Sequence, residues 1–243
     1  MDPYVYPNSE VLINKFNIQD ERELITVETQ LLIASIVDIE AISNSLDFHH
    51  LSSLQTIHHH LFHLIYDWAG EFRTINIYKS EKVLGGLSVT YSKYNHIHTD
   101  LDKIFKWSSK ISWTLFNPQL AKYFSKLMTD IWRVHPYREG NTRTVSIFMK
   151  LFADEKGLMF NEQLLSENAS YLRNALVLAA VEEAPEPEYL NKIITEALCL
   201  TENKITANEK NISLSKIMTF QITRKNLLRL ILNRIKNNYR TVW

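Results

Sequence analysis

The sequence has little of what disulfide-linked, β-rich or membrane-spanning proteins require. Among 243 residues one is cysteine, Cys199, so no intrachain disulfide can form. Five glycines and six prolines supply few turns for an all-β chain. The longest apolar runs, such as Leu31–Val37, fall far short of the roughly 20 residues of a membrane-spanning helix. The N-terminus lacks the basic start and apolar stretch of a secretory signal, so we expect a cytoplasmic protein, with signal-independent secretion left open.

Net charge is also lacking, but the charges are unevenly distributed. Lys and Arg number 27, as do Asp and Glu, so whole-chain electrostatics predict neither a nucleic-acid nor a membrane partner. The tail from Asn203 to Trp243 nevertheless carries nine Lys and Arg residues against a single acid, Glu209. It also carries an apolar stripe at helical spacing, formed by Leu227, Leu228, Ile231, Leu232 and Ile235. This pattern predicts a basic amphipathic helix that either packs on the acidic body or binds a partner or lipid.

Apolar residues make up 45% of the chain and recur mostly at helical spacing. From Glu21 to Asn44 they return every three or four positions, which predicts one long helix. Similar patterns predict helices over Leu51–Trp68, His96–Trp107, Pro118–Trp132, Thr142–Lys156, Asn168–Glu183 and Pro187–Leu200. Gly85-Gly86 lies among β-prone residues and predicts a short hairpin or flap. We therefore expect an all-α bundle with a small β-hairpin flap.

The segment His135-Pro136-Tyr137-Arg138-Glu139-Gly140-Asn141-Thr142-Arg143 lies between two predicted helices and collects groups suited to phosphate chemistry. Gly140 and Asn141 tolerate the positive φ that lets backbone N–H groups converge on an anion. A helix that begins at about Thr142 directs its N-terminal N–H groups to the same place. Arg143 adds a fork of donors for phosphate oxygens.

Two further side chains of this loop suggest catalysis. Glu139 offers the oxygen ligand that Mg²⁺ prefers. The ordinary pKa of His135 suits it to accept a hydroxyl proton near neutral pH. From residue types alone, a structural ion-pair junction remains an alternative.

The loop resembles the motif of the Fic (Fido-domain) family of protein adenylyltransferases, H-x-F-x-[DE]-G-N-G-R-x-x-R. A second stretch, which includes Ile57-His58, Leu61-Phe62 and Ile65 to Arg73, resembles the helix and turn before the flap of that family. Glu81 to Leu84 stand where the family's flap lies. The resemblance runs from about Leu51 to Leu198 and divides the chain into an N-terminal helical extension (1–50), a Fic catalytic domain (51–198) and a basic C-terminal helical tail (199–243).

The resemblance implies a reaction and a role for each site residue. It implies transfer of AMP from ATP to a Ser, Thr or Tyr hydroxyl of a target protein, with His135 as general base and Glu139 holding Mg²⁺. The target would bind along the flap Lys79–Tyr91 by adding a strand. The nucleotide would be bound by Gly140, Asn141, Thr142, Arg143, Lys79, Tyr171 and Asn174. For Tyr171 and Asn174, core or capping roles are open alternatives.

Three positions depart from the family motif. Tyr137 replaces Phe, Thr142 replaces the second Gly and could serve as an N-cap, and Ser146 replaces the last Arg. Because that Arg normally steadies the terminal phosphate, transfer of another nucleotide or phosphoryl group is an alternative. A catalytically weak, toxin-like interaction module is another.

Control of the activity is a separate question. Many relatives are restrained by a helix with the pattern [ST]-x-x-x-E-[GN], whose Glu pairs with the last Arg of the motif. Neither flank of this chain carries the pattern, and Ser146 has replaced the Arg. We therefore expect no self-inhibition through that pair; a separate inhibitory partner or the tail could provide control.

Overall fold

A computed structural model describes residues 2–200; Met1 and 201–243, which include nearly all of the predicted basic tail, lie outside the described residues. The described chain forms nine α-helices. They are α1 (Glu21–Val37), α2 (Glu40–Ser43), α3 (Ser52–Phe62), α4 (Ile97–Ser108), α5 (Leu120–Val134), α6 (Asn141–Glu155), α7 (Glu162–Glu167), α8 (Ala169–Ala180) and α9 (Glu188–Ala197). Two short 3-10 turns, Lys82–Leu84 and Tyr94–His96, lie between α3 and α4. The all-α fold predicted from the sequence is confirmed.

Helix α5 runs through the centre of the bundle. It packs against α4, α6, α8 and α9, while α3 packs against α1 and α6. The α5 residues Phe124, Leu127, Met128, Ile131 and Trp132 are completely buried. Burying each such side chain contributes roughly 1.5–3 kcal/mol. The central helix is therefore a firm support for the loop that follows it.

The turn between α5 and α6 is built from two residues in the left-handed region. His135 ends α5 with φ 50° and ψ 59°, and Gly140 precedes α6 with φ 79°. These two conformations reverse the chain within residues 135–140. The C-terminus of α5 and the N-terminus of α6 consequently meet at one place.

Most predicted helices are present, with shifted ends. The predicted helix Glu21–Asn44 is wrong in one respect, because it breaks at Asp38, the C-cap of α1, before the short α2. The predicted helix Leu51–Trp68 ends early, at Phe62, where turns replace it. Helix α7 was missed, although Asn161 caps it by accepting the Leu164 N–H at 3.1 Å. Short helices of this kind have too few apolar repeats to be recognised from periodicity.

The predicted β-hairpin is absent, and the segment Lys79–Tyr91, called the flap loop below, is irregular. Between Tyr4 and Leu200 the only β pairing is one isolated bridge, Val5 to Leu12. In the flap loop the Ser88 hydroxyl accepts from the Lys79 N–H at 3.2 Å. The Ser80 hydroxyl donates to the Gly86 carbonyl at 2.9 Å. Because hydroxyls take these backbone groups, a regular ladder does not form.

Within residues 2–200, no helix combines the length and apolar character needed to cross a membrane.

Candidate active site

Arg73 holds the backbone of the loop between α5 and α6, a role that was not predicted from the sequence. Its buried guanidinium donates to the carbonyls of His135 (2.8 Å), Ile75 (2.6 Å), Val134 (3.3 Å) and Ser92. Its backbone N–H donates to the Pro136 carbonyl at 2.8 Å. Burial lowers the pKa of Arg73 to about 10, so the side chain remains charged at neutral pH. A cation thus satisfies the last carbonyls of α5 and fixes the backbone of His135.

His135 is arranged as a neutral base. Its Nδ1 lies 3.2 Å from the Trp132 carbonyl, while its Nε2 is buried and has no hydrogen-bond partner among the described residues. Burial, followed by the positive charge of Lys79, lowers the pKa of His135 well below its ordinary value of 6.5. The carbonyl favours a proton on Nδ1, which leaves the lone pair on Nε2. His135 can therefore accept a proton at neutral pH.

Gly140 and Asn141 shape the loop. A Cβ atom on Gly140 would lie 2.5 Å from the Phe62 ring, and φ is 79°, so only glycine fits. The Asn141 side chain accepts from the Tyr137 N–H at 2.9 Å and donates to the Tyr137 carbonyl at 2.8 Å. These two bonds occupy the side-chain amide of Asn141. A contact from Asn141 to a nucleotide would therefore come from its backbone N–H at the start of α6.

Thr142 and Arg143 lie in the first turn of α6. The Thr142 hydroxyl accepts from the Trp132 indole N–H at 2.9 Å. Thr142 is not the N-cap, because α6 begins at Asn141 and Gly140 takes the cap position. The Arg143 guanidinium lies 4.8 Å from the centroid of the Phe62 ring. The place where the sequence predicts phosphate binding, called the cradle below, is thus the N-terminus of α6 together with the side chain of Arg143.

Glu28 of α1 meets this cradle and was not identified from the sequence. Its carboxylate forms an ion pair with Arg143 and accepts a hydrogen bond from the Tyr66 hydroxyl. Glu28 precedes Arg143 by more than 100 positions and belongs to no local motif. The packing of α3 against both α1 and α6 brings the two together.

Glu139 is held by positive groups on both sides. Its Oε2 lies 2.8 Å from the Lys79 ammonium, and its Oε1 accepts from the Gly140 N–H at 3.0 Å. Arg143 lies 3.8 Å from Oε1. Burial alone would raise the pKa of Glu139, but Lys79, Arg143 and the hydrogen bonds lower it below its ordinary value. The carboxylate is therefore ionised at neutral pH.

This carboxylate suits Mg²⁺. The ion commonly takes one or two carboxylates and completes its shell with phosphate oxygens and water. No group of three or more metal-ligating side chains occurs in residues 2–200, so nucleotide phosphates would have to complete the shell. Lys79 would have to yield its place on Oε2 to the ion.

Comparison with known proteins settles the family. Residues 47–153 match the family model for the Fic/DOC family. The chain is 32% identical over 167 residues to "Probable protein adenylyltransferase y4lH" of Sinorhizobium fredii, and the match covers 68% of this chain and 81% of that protein. The chain belongs to the Fic/DOC family. It is also 25% identical over 170 residues to "Probable protein adenylyltransferase Fic" of Escherichia coli, covering 69% and 80% of the two chains.

Solved structures agree with this fold. The BepC protein of Bartonella tribocorum, crystallised with bound AMPPNP, superposes with a TM-score of 0.65 at 16% identity, covering 80% of this chain and 95% of that one. The N-terminal FIC domain of Bep8 from Bartonella sp. 1-1C gives 0.63 at 19% identity, covering 83% and 96%. The resemblance seen in the loop sequence is thereby confirmed, and these neighbours support the fold of the Fic/DOC chain.

His58 is a second support of the loop between α5 and α6, a role that was not predicted from the sequence. Its Nδ1 accepts from the Gly70 N–H at 2.8 Å, so its Nε2 carries the proton and donates to the Glu139 carbonyl at 3.1 Å. The His58 ring is stacked on the Tyr137 ring, with 3.7 Å between the two ring centroids. Burial lowers the pKa of His58 to about 3. A neutral imidazole therefore bridges α3 to the loop.

His58 predicts a loss of stability in mild acid. The folded state keeps His58 neutral, whereas the unfolded chain binds a proton below pH 6.5. The free energy of unfolding should therefore fall by about 2 kcal/mol between pH 7 and pH 5 from this residue alone. Urea titrations of the wild type and of His58→Gln, which cannot bind this proton, measure it. Equal pH slopes in both proteins would contradict the assignment.

Tyr171 and Asn174 lie on α8, which the family match does not cover. Both are exposed, and the Tyr171 hydroxyl donates to the Tyr189 carbonyl at 3.2 Å. The core alternative is thereby disfavoured. Their part in holding a nucleobase stays a prediction.

Proposed function

We propose that this Fic/DOC protein transfers AMP from ATP to a Ser, Thr or Tyr hydroxyl of a target protein. One observation carries the proposal: the Nε2 of His135, which has no hydrogen-bond partner within residues 2–200, lies in the short loop that carries ionised Glu139 and leads into the N-terminus of α6 with Arg143. The names of the relatives in Sinorhizobium fredii and Escherichia coli, both called protein adenylyltransferases, support the same activity. So does the AMPPNP bound to BepC, which shares the fold.

The proposed chemistry follows from these groups. His135 Nε2 accepts the proton of the target hydroxyl while the hydroxyl oxygen forms a bond to the α-phosphorus. The bond from the α-phosphorus to the bridging oxygen breaks, and pyrophosphate leaves. The N–H groups of the first turn of α6 and the Arg143 side chain stabilise the charge on the phosphates. Mg²⁺, held by Glu139 and the phosphates, would neutralise further negative charge.

The other residues of the site would bind the rest of the nucleotide. Gly140 lets the backbone approach the phosphates, and Asn141 and Thr142 supply N–H groups. Lys79 serves as a second cation near the phosphates, and Tyr171 and Asn174 face the base.

The target would bind along the flap loop. Beside it lies a cavity of about 410 Å³, lined by Ile75 to Lys79 together with Asp2 and Arg138. Tyr78 and Leu87 are 70% and 68% exposed and could contact a bound chain. Arg138 belongs to the loop between α5 and α6, and Lys79 belongs to the flap loop. A peptide in this cavity would therefore lie close to both loops.

The nucleotide is tested directly. The protein is incubated with a cell lysate, Mg²⁺ and ATP, GTP, UTP or CTP labelled at the α-phosphate, and modified proteins are identified by mass spectrometry. We expect AMP adducts on hydroxyl side chains. Adducts of another nucleotide, or phosphate alone, would favour the alternative that Ser146 raises, and no adduct at all would favour an interaction module.

The metal role predicts the behaviour of Glu139→Ala. Mg²⁺ should strengthen binding of a non-hydrolysable ATP analogue by the wild type but not by this variant, because the only carboxylate of the loop is gone. Calorimetry with Mg²⁺ or with EDTA measures both affinities, and Asp102→Ala, an exposed substitution on α4, is the matched control. A Mg²⁺ gain that persists in Glu139→Ala would refute the role.

A further inference from the structure

Glu81 closes the flap loop through its backbone. Its N–H donates to the Leu87 carbonyl at 2.9 Å. Its carbonyl accepts from the N–H groups of Leu84 and Gly86, both at 3.0 Å. Gly85 and Gly86 have positive φ, which allows so tight a turn. The conformation of the loop tip therefore depends on the position of this one residue.

The Glu81 side chain joins the loop to the bundle. The side chain is only 6% exposed. Nη2 of Arg173 donates to both carboxylate oxygens, at 2.8 Å to Oε1 and 3.0 Å to Oε2. The Tyr91 hydroxyl lies 3.4 Å from the same carboxylate. The centroid of the Tyr91 ring in turn lies 4.2 Å from that of the His135 ring. One ion pair thus connects α8, both ends of the flap loop and the proposed base.

Apolar packing holds the tip only in part. Leu84 is half-buried against the core, whereas Val83 is 37% exposed and Leu87 68%. A buried carboxylate that loses its cation is strongly destabilised, because the desolvated charge remains without compensation. Removing either partner should therefore release the tip while leaving the core around α5 intact.

We propose that Glu81 and Arg173 form a latch that sets the position of the flap loop against His135, which makes them positioning residues for the target hydroxyl. The inference rests on the proposed function for the meaning of that position, but the latch itself can be measured without any substrate. Arg173 and the predicted base contacts Tyr171 and Asn174 share α8, so the latch also joins the flap loop to the proposed nucleobase side.

Hydrogen exchange with mass spectrometry tests the latch on the full chain. In Glu81→Gln and in Arg173→Met, amides of residues 82–90 should exchange about tenfold faster or more, because local opening becomes easier. The double variant should add little to either single variant, since both remove one interaction. Arg133→Met, which removes an exposed ion pair to Glu182 (3.6 Å), is the matched control and should leave the flap loop unchanged.

Two outcomes would overturn the latch. One is exchange in residues 82–90 equal to that of the wild type. The other is an equal acceleration in α5 and α6, which would mean that the pair only stabilises the whole fold. If Glu81→Gln fails to fold, Arg173→Lys decides, because it keeps the charge on a shorter side chain without the planar guanidinium; it should give intermediate exchange.

Kinetics separate the latch from the proposed function. Affinity for an ATP analogue should stay within about threefold in the latch variants, whereas transfer to lysate proteins should fall by about tenfold or more, because the hydroxyl is misplaced. Transfer at the wild-type rate together with a loosened loop would overturn the positioning role. A wild type that transfers no label would instead refute the proposed function, and the exchange data would still decide on the latch.

Discussion

The variant His135→Ala should transfer AMP at least about 10²-fold more slowly than the wild type, since it removes the general base. Initial rates with labelled ATP and lysate proteins measure the effect. His96→Ala, an exposed histidine outside the site, is the matched control and should stay near the wild-type rate. A near-normal rate for His135→Ala would exclude His135 as the base.

The backbone at His135 calls for a second variant. His135 has φ 50°, where alanine is strained by about 1–2 kcal/mol, whereas asparagine tolerates this region. His135→Asn should therefore keep the melting temperature closer to that of the wild type and still lose transfer. If His135→Asn were active, the loss in His135→Ala would reflect backbone strain rather than chemistry.

The variant Glu28→Gln should bind an ATP analogue about tenfold more tightly or better. In the wild type the Glu28 carboxylate forms an ion pair with Arg143. If Arg143 binds the nucleotide as proposed, this carboxylate would compete with the phosphate oxygens and repel their charge. A charge-assisted contact of this kind is worth roughly 1.5–3 kcal/mol. Glutamine keeps the size of the side chain and can still accept from the Tyr66 hydroxyl. Calorimetry gives both dissociation constants.

Two controls make this result specific. Glu21→Gln removes an exposed charge from the same helix and should leave the affinity unchanged. Adding Arg143→Met to Glu28→Gln should abolish the gain, because the arginine is its source. Weaker binding by Glu28→Gln alone would mean that Glu28 instead orients Arg143 for the nucleotide.

Glu28 also qualifies the expectation about control. The predicted absence of self-inhibition concerned a carboxylate paired with position 146, and it stays a prediction. Leu24 lies four residues before Glu28 and Thr29 follows it, so Glu28 does not fit the pattern [ST]-x-x-x-E-[GN]. The structure places this carboxylate on Arg143 instead, which is a different pair from the one considered.

The sequence predicted the parts of the fold that depend on local repetition. Helices α5 and α6 have long apolar stripes, and the loop between them carries a dense motif, so both were found. The flap loop was predicted as a hairpin because Gly85-Gly86 and β-prone residues suggest strands. Its serine hydroxyls bind the backbone instead, and such competition leaves no periodic signal.

The supports of the site could not be predicted in the same way. Arg73 and His58 belong to a stretch that resembles the family. Their roles nevertheless depend on hydrogen bonds to the carbonyls of His135 and Glu139, which lie far away in the sequence. Glu81 and Arg173 are separated by 92 positions. Only the tertiary packing determines which distant groups meet, and a single sequence contains no direct record of that packing.

The contact between Gly140 and Phe62 limits how this site can change by mutation. Any larger residue at 140 would collide with the ring, and the positive φ would still strain it if residue 62 were smaller. Yet that ring is also the surface on which the Arg143 guanidinium lies, and losing it would remove a favourable cation–π contact. A substitution at either position is therefore harmful, and a smaller side chain at 62 does not make a side chain at 140 acceptable.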